Sequence, residues 1–141
     1  MANTNFRPAT VAEVAARAIA EPGSFDRSVR EFLDHWQSLS SAERADSIQQ
    51  EPRSIGAVQD SYLAALAEHL ALSARLAVPE WTETSRRFLS EPFFAGGLES
   101  LKATLIVESP AAFRRRLIFI SANALDRPVR AEPSSSSRLR S

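Results

Sequence analysis

The chain contains no cysteine, and among its 141 residues it has only four glycines, two histidines and one lysine. Without cysteine there is no disulfide, no thiolate metal site and no thiol nucleophile, which suits a reducing, cytoplasmic setting. Gly23, Gly56, Gly96 and Gly97 form neither GxGxxG nor GxxxxGK[ST], so both familiar phosphate-cradling loops are excluded at motif level. GxSxG, SxxK and HExxH are missing too. His35 and His69 have no partner at a metal-ligand spacing and would meet only if their helices packed together. No catalytic residue, cofactor or metal site is therefore assigned, and an enzyme is not expected. Apolar runs such as Leu105-Ile106-Val107 and Leu117-Ile118-Phe119-Ile120 fall far short of the roughly 20 residues a membrane-spanning helix needs. Residues 1–8 lack the apolar core of a signal peptide, so neither membrane residence nor export by that route is expected.

Net charge is also lacking: 17 basic residues balance 17 acidic ones. The balance hides a gradient, with fourteen acids against nine arginines in residues 1–100 and eight bases against three acids in residues 101–141. A neutral, polarised chain does not match a general nucleic-acid coat or a membrane-surface domain, which carry a basic excess.

What the chain does have is helical periodicity punctuated by eight prolines. Thr10 and Glu13 stand at capping-box spacing before Val11, Val14, Ala15, Ala18 and Ile19, and Pro22-Gly23 ends that helix. Ser24 then opens the most amphipathic segment, 25–39, with Phe25, Val29, Phe32, Leu33 and Trp36 on one stripe. Ser40 with Glu43 starts a short helix that stops before Pro52. An alanine-rich segment, 57–76, is expected to be the longest and most central helix, broken by Val78-Pro79. Pro79-Glu80-Trp81-Thr82 is read as a short turn inserting Trp81 as an anchor. Residues 83–97 are the least regular, and Phe93-Phe94 beside Gly96-Gly97 suggest a loop pinned by its rings. A helix over 98–107 follows, then a last core helix with Ser109 as N-cap and Pro110 at the first helical position. Residues 117–120 read as the end of that helix rather than a strand, and Ser121 begins a final turn near Leu125. The serine-rich stretch after Pro128 cannot offset its ordering entropy.

The expectation is an all-α, irregular bundle of about six or seven helices: a flexible N-terminus over 1–8, one domain over 9–127 and a disordered tail over 128–141. Two features of the expected domain point to binding. Arg114, Arg115 and Arg116 fan over about 200° of a helix, so one of them must turn toward the packed side. Ion pairing within the chain, contact with a partner protein and contact with nucleic acid are the three readings of this run. Phe93 and Phe94 are the apolar patch a partner would bury.

The ordered series Pro79-Glu80-Trp81-Thr82, Arg87-Phe88-Leu89, Pro92-Phe93-Phe94, Leu101-Lys102-Ala103 and Glu108-Ser109-Pro110-Ala111-Ala112-Phe113-Arg114-Arg115-Arg116, ending in Ile118-Phe119-Ile120 and Ala124-Leu125, resembles a set of uncharacterised bacterial helical proteins. They accompany nucleotidyltransferase-like proteins in toxin–antitoxin arrangements. The resemblance covers roughly 58–127, with ESPxxFRRR its most specific part, and it implies a non-catalytic, antitoxin-like partner. The leading expectation is thus a protein–protein interaction module that uses Arg114, Arg115, Arg116, Phe93 and Phe94 against a nucleotidyltransferase-like toxin. The alternative is a regulatory nucleic-acid binder acting through the basic C-terminal region.

Overall fold

Thr10 opens the first helix as its spacing to Glu13 predicts: its hydroxyl accepts from the Glu13 N–H at 3.0 Å, and α1 runs Val11–Ala20. The Glu13 carboxylate reaches one residue further than a capping box requires and accepts from the Ala9 N–H at 2.7 Å. The computed structural model describes residues 7–95, 102–121 and 124–126. Gly23, at φ 89°, supplies the left-handed turn after α1 that a side chain would resist. α2, Phe25–Trp36, follows and packs beside α1, burying Val29, Phe32, Leu33 and Trp36. Ser24 makes no side-chain cap; its hydroxyl instead donates to the Arg17 carbonyl at 3.3 Å and ties the two helices together. α3, Ser41–Ser47, carries a complete capping box between Ser40 and Glu43.

α4, Ala57–Ser73, is the centre of the molecule. Leu63, Ala64, Ala65, Leu66 and Ala67 are all fully buried. Five consecutive positions circle the whole helix, so α4 is covered on every side rather than along one stripe. The abundance of alanine is what lets its neighbours approach so closely. The helix stops three residues before the predicted end. Arg75 adopts the left-handed conformation at φ 61°, and the N–H groups of Arg75 and Leu76 turn back to the carbonyls of Leu72 and Ala71. This pair of bonds is a Schellman motif, and it terminates the helix before Pro79 has any effect.

Two 3₁₀ turns, Glu80–Glu83 and Ser85–Arg87, lie against α4. Trp81 is the anchor the sequence suggests: its indole N–H donates to the Ile48 carbonyl at 3.0 Å, which pins the end of α3. Beyond them come β1, Phe93–Phe94, then α5, Lys102–Glu108, α6, Ala111–Arg114, and β2, Ile118–Phe119.

The helical reading of 117–120 is corrected here. Ile118 and Phe119 pair in parallel with Phe93 and Phe94, so both segments are strand. Leu117 sits at φ 65°, which an α-helix cannot continue, and this kink turns the chain from α6 into β2. A parallel pair needs a long crossover, which α5 and α6 supply. Ser109 is not the cap of α6 either. Its buried hydroxyl accepts from the Ile120 N–H at 2.8 Å and lies against the Leu105 and Ile120 carbonyls, clasping α5 to the end of β2.

The fold is therefore mostly helical, with six α-helices and one two-stranded sheet among the described residues. No helix there is long and apolar enough to cross a membrane. The expectations for residues 1–6, for Gly96-Gly97 and the start of the helix over 98–107, and for the tail over 128–141 lie outside the described residues.

Candidate functional site

α6 is a single turn, and the chain tightens further after it: the Arg116 and Leu117 N–H groups bond to the carbonyls three residues back. This geometry sends the three arginines to three different environments. Arg114 is exposed and makes no ion pair among the described residues. Arg115 is half out, its side chain 42% exposed, and Arg116 is completely buried.

Arg116 is held from several directions. Its Nη1 donates to Glu68 Oε1 at 2.6 Å and to the Ala112 carbonyl at 2.9 Å, and its Nη2 donates to the Thr82 carbonyl at 2.7 Å. Its guanidinium lies 4.5 Å from the centre of the Phe88 ring, a cation–π distance. Arg115 bonds Glu68 at 2.8 Å and both oxygens of Glu83, at 2.9 and 3.1 Å. The two adjacent cations thus face two carboxylates, one on α4 and one on the first 3₁₀ turn. Burial pulls the Arg116 guanidinium below its ordinary pKa, whereas the hydrogen bonds that Arg115 donates to Glu83 and Glu68 raise its own. Bonding to Arg115 holds the Glu83 carboxyl below the usual carboxylate value.

A second arginine pair, which the sequence reading passed over, does the same work on the other flank. Arg87 is fully buried, donating to the Asp60 carbonyl at 3.1 Å, the Pro52 carbonyl at 2.7 Å and Glu51 at 3.2 Å, with its guanidinium over Trp81. Arg86 bonds Asp60 and Glu51. Asp60, itself buried, also accepts from the Ser54 hydroxyl and the Ile55 N–H. The signal was present as a second Arg-Arg step inside the irregular 83–97 stretch. Residues without regular hydrogen bonding need side chains to fix them, and these two arginines do so.

Phe93 and Phe94 separate as the strand alternation requires. Phe94 stacks on Phe119, with ring centres 4.9 Å apart, while Phe93 is 38% exposed. Phe93 edges a cleft of about 370 Å³ whose walls include Val58, Phe88, Leu89 and Pro92. Its position is tied to Arg114 through one residue: Leu117 O accepts from the Phe93 N–H at 2.8 Å, and the Leu117 N–H donates to Arg114 O at 2.9 Å. Of the five sequence-predicted residues, then, Phe93 and Arg114 face solvent on adjoining segments, Arg115 does so in part, and Phe94 and Arg116 face inward.

No family model, curated protein or solved structure matches this chain.

The histidines stay apart in character. His35 is exposed on α2, and His69 is half-buried on α4, 6.2 Å from the Phe113 ring centre. Burial lowers the His69 pKa below its ordinary 6.5. Among the described residues no cluster of three or more His, Asp or Glu side chains is placed to hold a metal.

Proposed function

We propose that the chain is a non-catalytic protein-binding module, the neutralising member of a bacterial toxin–antitoxin pair whose toxin is nucleotidyltransferase-like. The observation that carries this reading is the coupling of Phe93 to Arg114 through Leu117: an exposed aromatic ring beside an apolar cleft, and an exposed guanidinium without an ion pair among the described residues. Large rings and arginines are the side chains that dominate protein interfaces. Phe93 anchors the partner, and Arg114 enters the phosphate or carboxylate subsite of its active centre, where a planar fork of donors binds bidentately. Arg115 and Arg116 act behind this surface by holding α6 in place. Their engagement inside the chain also weighs against the nucleic-acid alternative, since two of the three guanidinium groups of the run already have carboxylate partners.

Co-expression with the product of the adjacent gene tests the reading. The two proteins are expected to co-purify, and Phe93→Ser with Arg114→Ala is expected to abolish neutralisation while the variant stays folded. A chain that elutes alone, or a double variant that neutralises as well as the parent, overturns it.

A further inference from the structure

Leu117, at φ 65°, is one of two residues other than glycine with a left-handed backbone among the described residues. The other, Arg75, only ends a helix, whereas Leu117 joins two segments that are each fixed on their own. On its N-terminal side Arg116 is buried and held by Glu68 and by the Ala112 and Thr82 carbonyls. On its C-terminal side Ile118 is fully buried, and the Ile120 N–H donates to the Ser109 hydroxyl at 2.8 Å. Leu117 alone separates Arg116 from Ile118, and a leucine there carries a Cβ that the left-handed region crowds. Such strain lasts only where the surrounding structure over-determines it, and it is common at ligand clamps.

The strained conformation makes two bonds at once. The Leu117 N–H donates to the Arg114 carbonyl at 2.9 Å, and the Leu117 carbonyl accepts from the Phe93 N–H at 2.8 Å. Rotation about N–Cα to an ordinary negative φ turns these two groups relative to each other, so with α6 held in place one bond is given up. We propose that Leu117 is a two-state joint: in the described state it docks β1 on β2 and fixes Phe93 beside Arg114, and in its relaxed state it releases the Phe93 N–H and β1 lifts off. β1 is the part light enough to move. It is two residues long, its Phe93 ring is 38% exposed, and its ties to β2 include the Phe93 and Ala95 N–H bonds and the stacking of Phe94 on Phe119. α6 and β2 stay, because Arg116 and Ser109 hold them. The consequence for partner binding rests on the proposed function, whereas the joint itself does not.

Amide hydrogen exchange of the full chain, followed by NMR without any partner, reads the joint directly. The Phe93 and Ala95 amides, whose acceptors are the Leu117 and Phe119 carbonyls, are expected to exchange at least about tenfold faster than those of the buried α4 residues Leu63, Leu66 and Ala67, which open only with the whole fold. Leu117→Gly and Leu117→Asn both tolerate the left-handed region and are expected to slow Phe93 and Ala95 about tenfold relative to the α4 amides. Leu117→Val, β-branched, is expected to speed them by a similar factor. Normalising to α4 separates a shift of the joint from a general change in stability. Exchange of Phe93 and Ala95 in step with α4, or rates in Leu117→Val no faster than in Leu117→Gly and Leu117→Asn, would overturn the proposal while leaving the binding reading intact.

Discussion

Arg115 and Arg116, adjacent in the chain, both donate to one oxygen, Glu68 Oε1, at 2.8 and 2.6 Å. Two neighbouring cations repel, so the arrangement stands only because Glu83 supplies the second negative charge, 2.9 Å from Arg115 and 3.8 Å from Arg116. The pairs differ in what they contribute. A solvent-screened ion pair adds little to stability, while a buried one is costly to break because the survivor stays in a poor dielectric.

Arg116→Ala is therefore expected to destabilise the fold by about 3–5 kcal/mol, because it strips Glu68 of a buried partner and leaves the Ala112 and Thr82 carbonyls without theirs. Arg115→Ala is expected to cost about 1 kcal/mol or less, and Arg114→Ala nothing beyond about 0.5 kcal/mol. Urea unfolding of the three variants gives the ranking directly. Equal losses at 115 and 116 would contradict the assigned burial.

Tyr62 is the sole tyrosine, packed edge-on between Phe25 and Phe113 at ring distances of 5.8 and 5.1 Å. Burial, reinforced by the Asp26 charge, raises its phenol to about 12 from an ordinary 10.0. Ultraviolet titration is expected to show one phenolate transition displaced upward, returning to the ordinary value when the chain unfolds. A transition near the ordinary value in the folded chain would place Tyr62 in water.

Stability is expected to fall with pH in two windows. His69 has a lowered pKa, so the unfolded chain takes up its proton first, and stability is complete above 6.5 and declines as pH falls below it. The Glu83 carboxyl is lowered by Arg115, so its contribution is complete above 4.5 and is lost as pH drops through the lowered value. Denaturant midpoints across the acid range should lose the upper step in His69→Gln and show a smaller lower step in Arg115→Ala, the part that Ser40 gives through Glu43 remaining.

Arg75 holds a left-handed conformation on an exposed surface, where a Cβ is a steric burden. Arg75→Gly is expected to stabilise the chain by about 0.5–1 kcal/mol, since glycine is the residue this helix-ending position favours. A loss of thermal stability in that variant would show that the Arg75 side chain contributes more than its backbone costs.

Trp81 couples α3 to the first 3₁₀ turn by one hydrogen bond, and Trp81→Phe leaves the Ile48 carbonyl unpaired while keeping most of the ring. The expected cost is about 1–3 kcal/mol, measured by chemical denaturation.

The amino-acid pattern by itself determined the helices that local chemistry can specify: Thr10 and Ser40 as caps, the α2 stripe from Val29 to Trp36, the alanine-rich α4 and the Trp81 anchor. Each depends on residues within a few positions of one another, or on a side chain large enough to demand burial. The tertiary structure alone decided the remainder. Ile118-Phe119 became a strand because Phe93-Phe94 lay beside it, a pairing across 25 positions that no local period encodes. It also decided which arginine of the run faces water. The helical fan required one to turn inward, but choosing Arg116 needed Glu68, Thr82 and Phe88 to converge from separate segments. Charge is written in the sequence; whether it is satisfied depends on what the fold brings within about 3 Å of it.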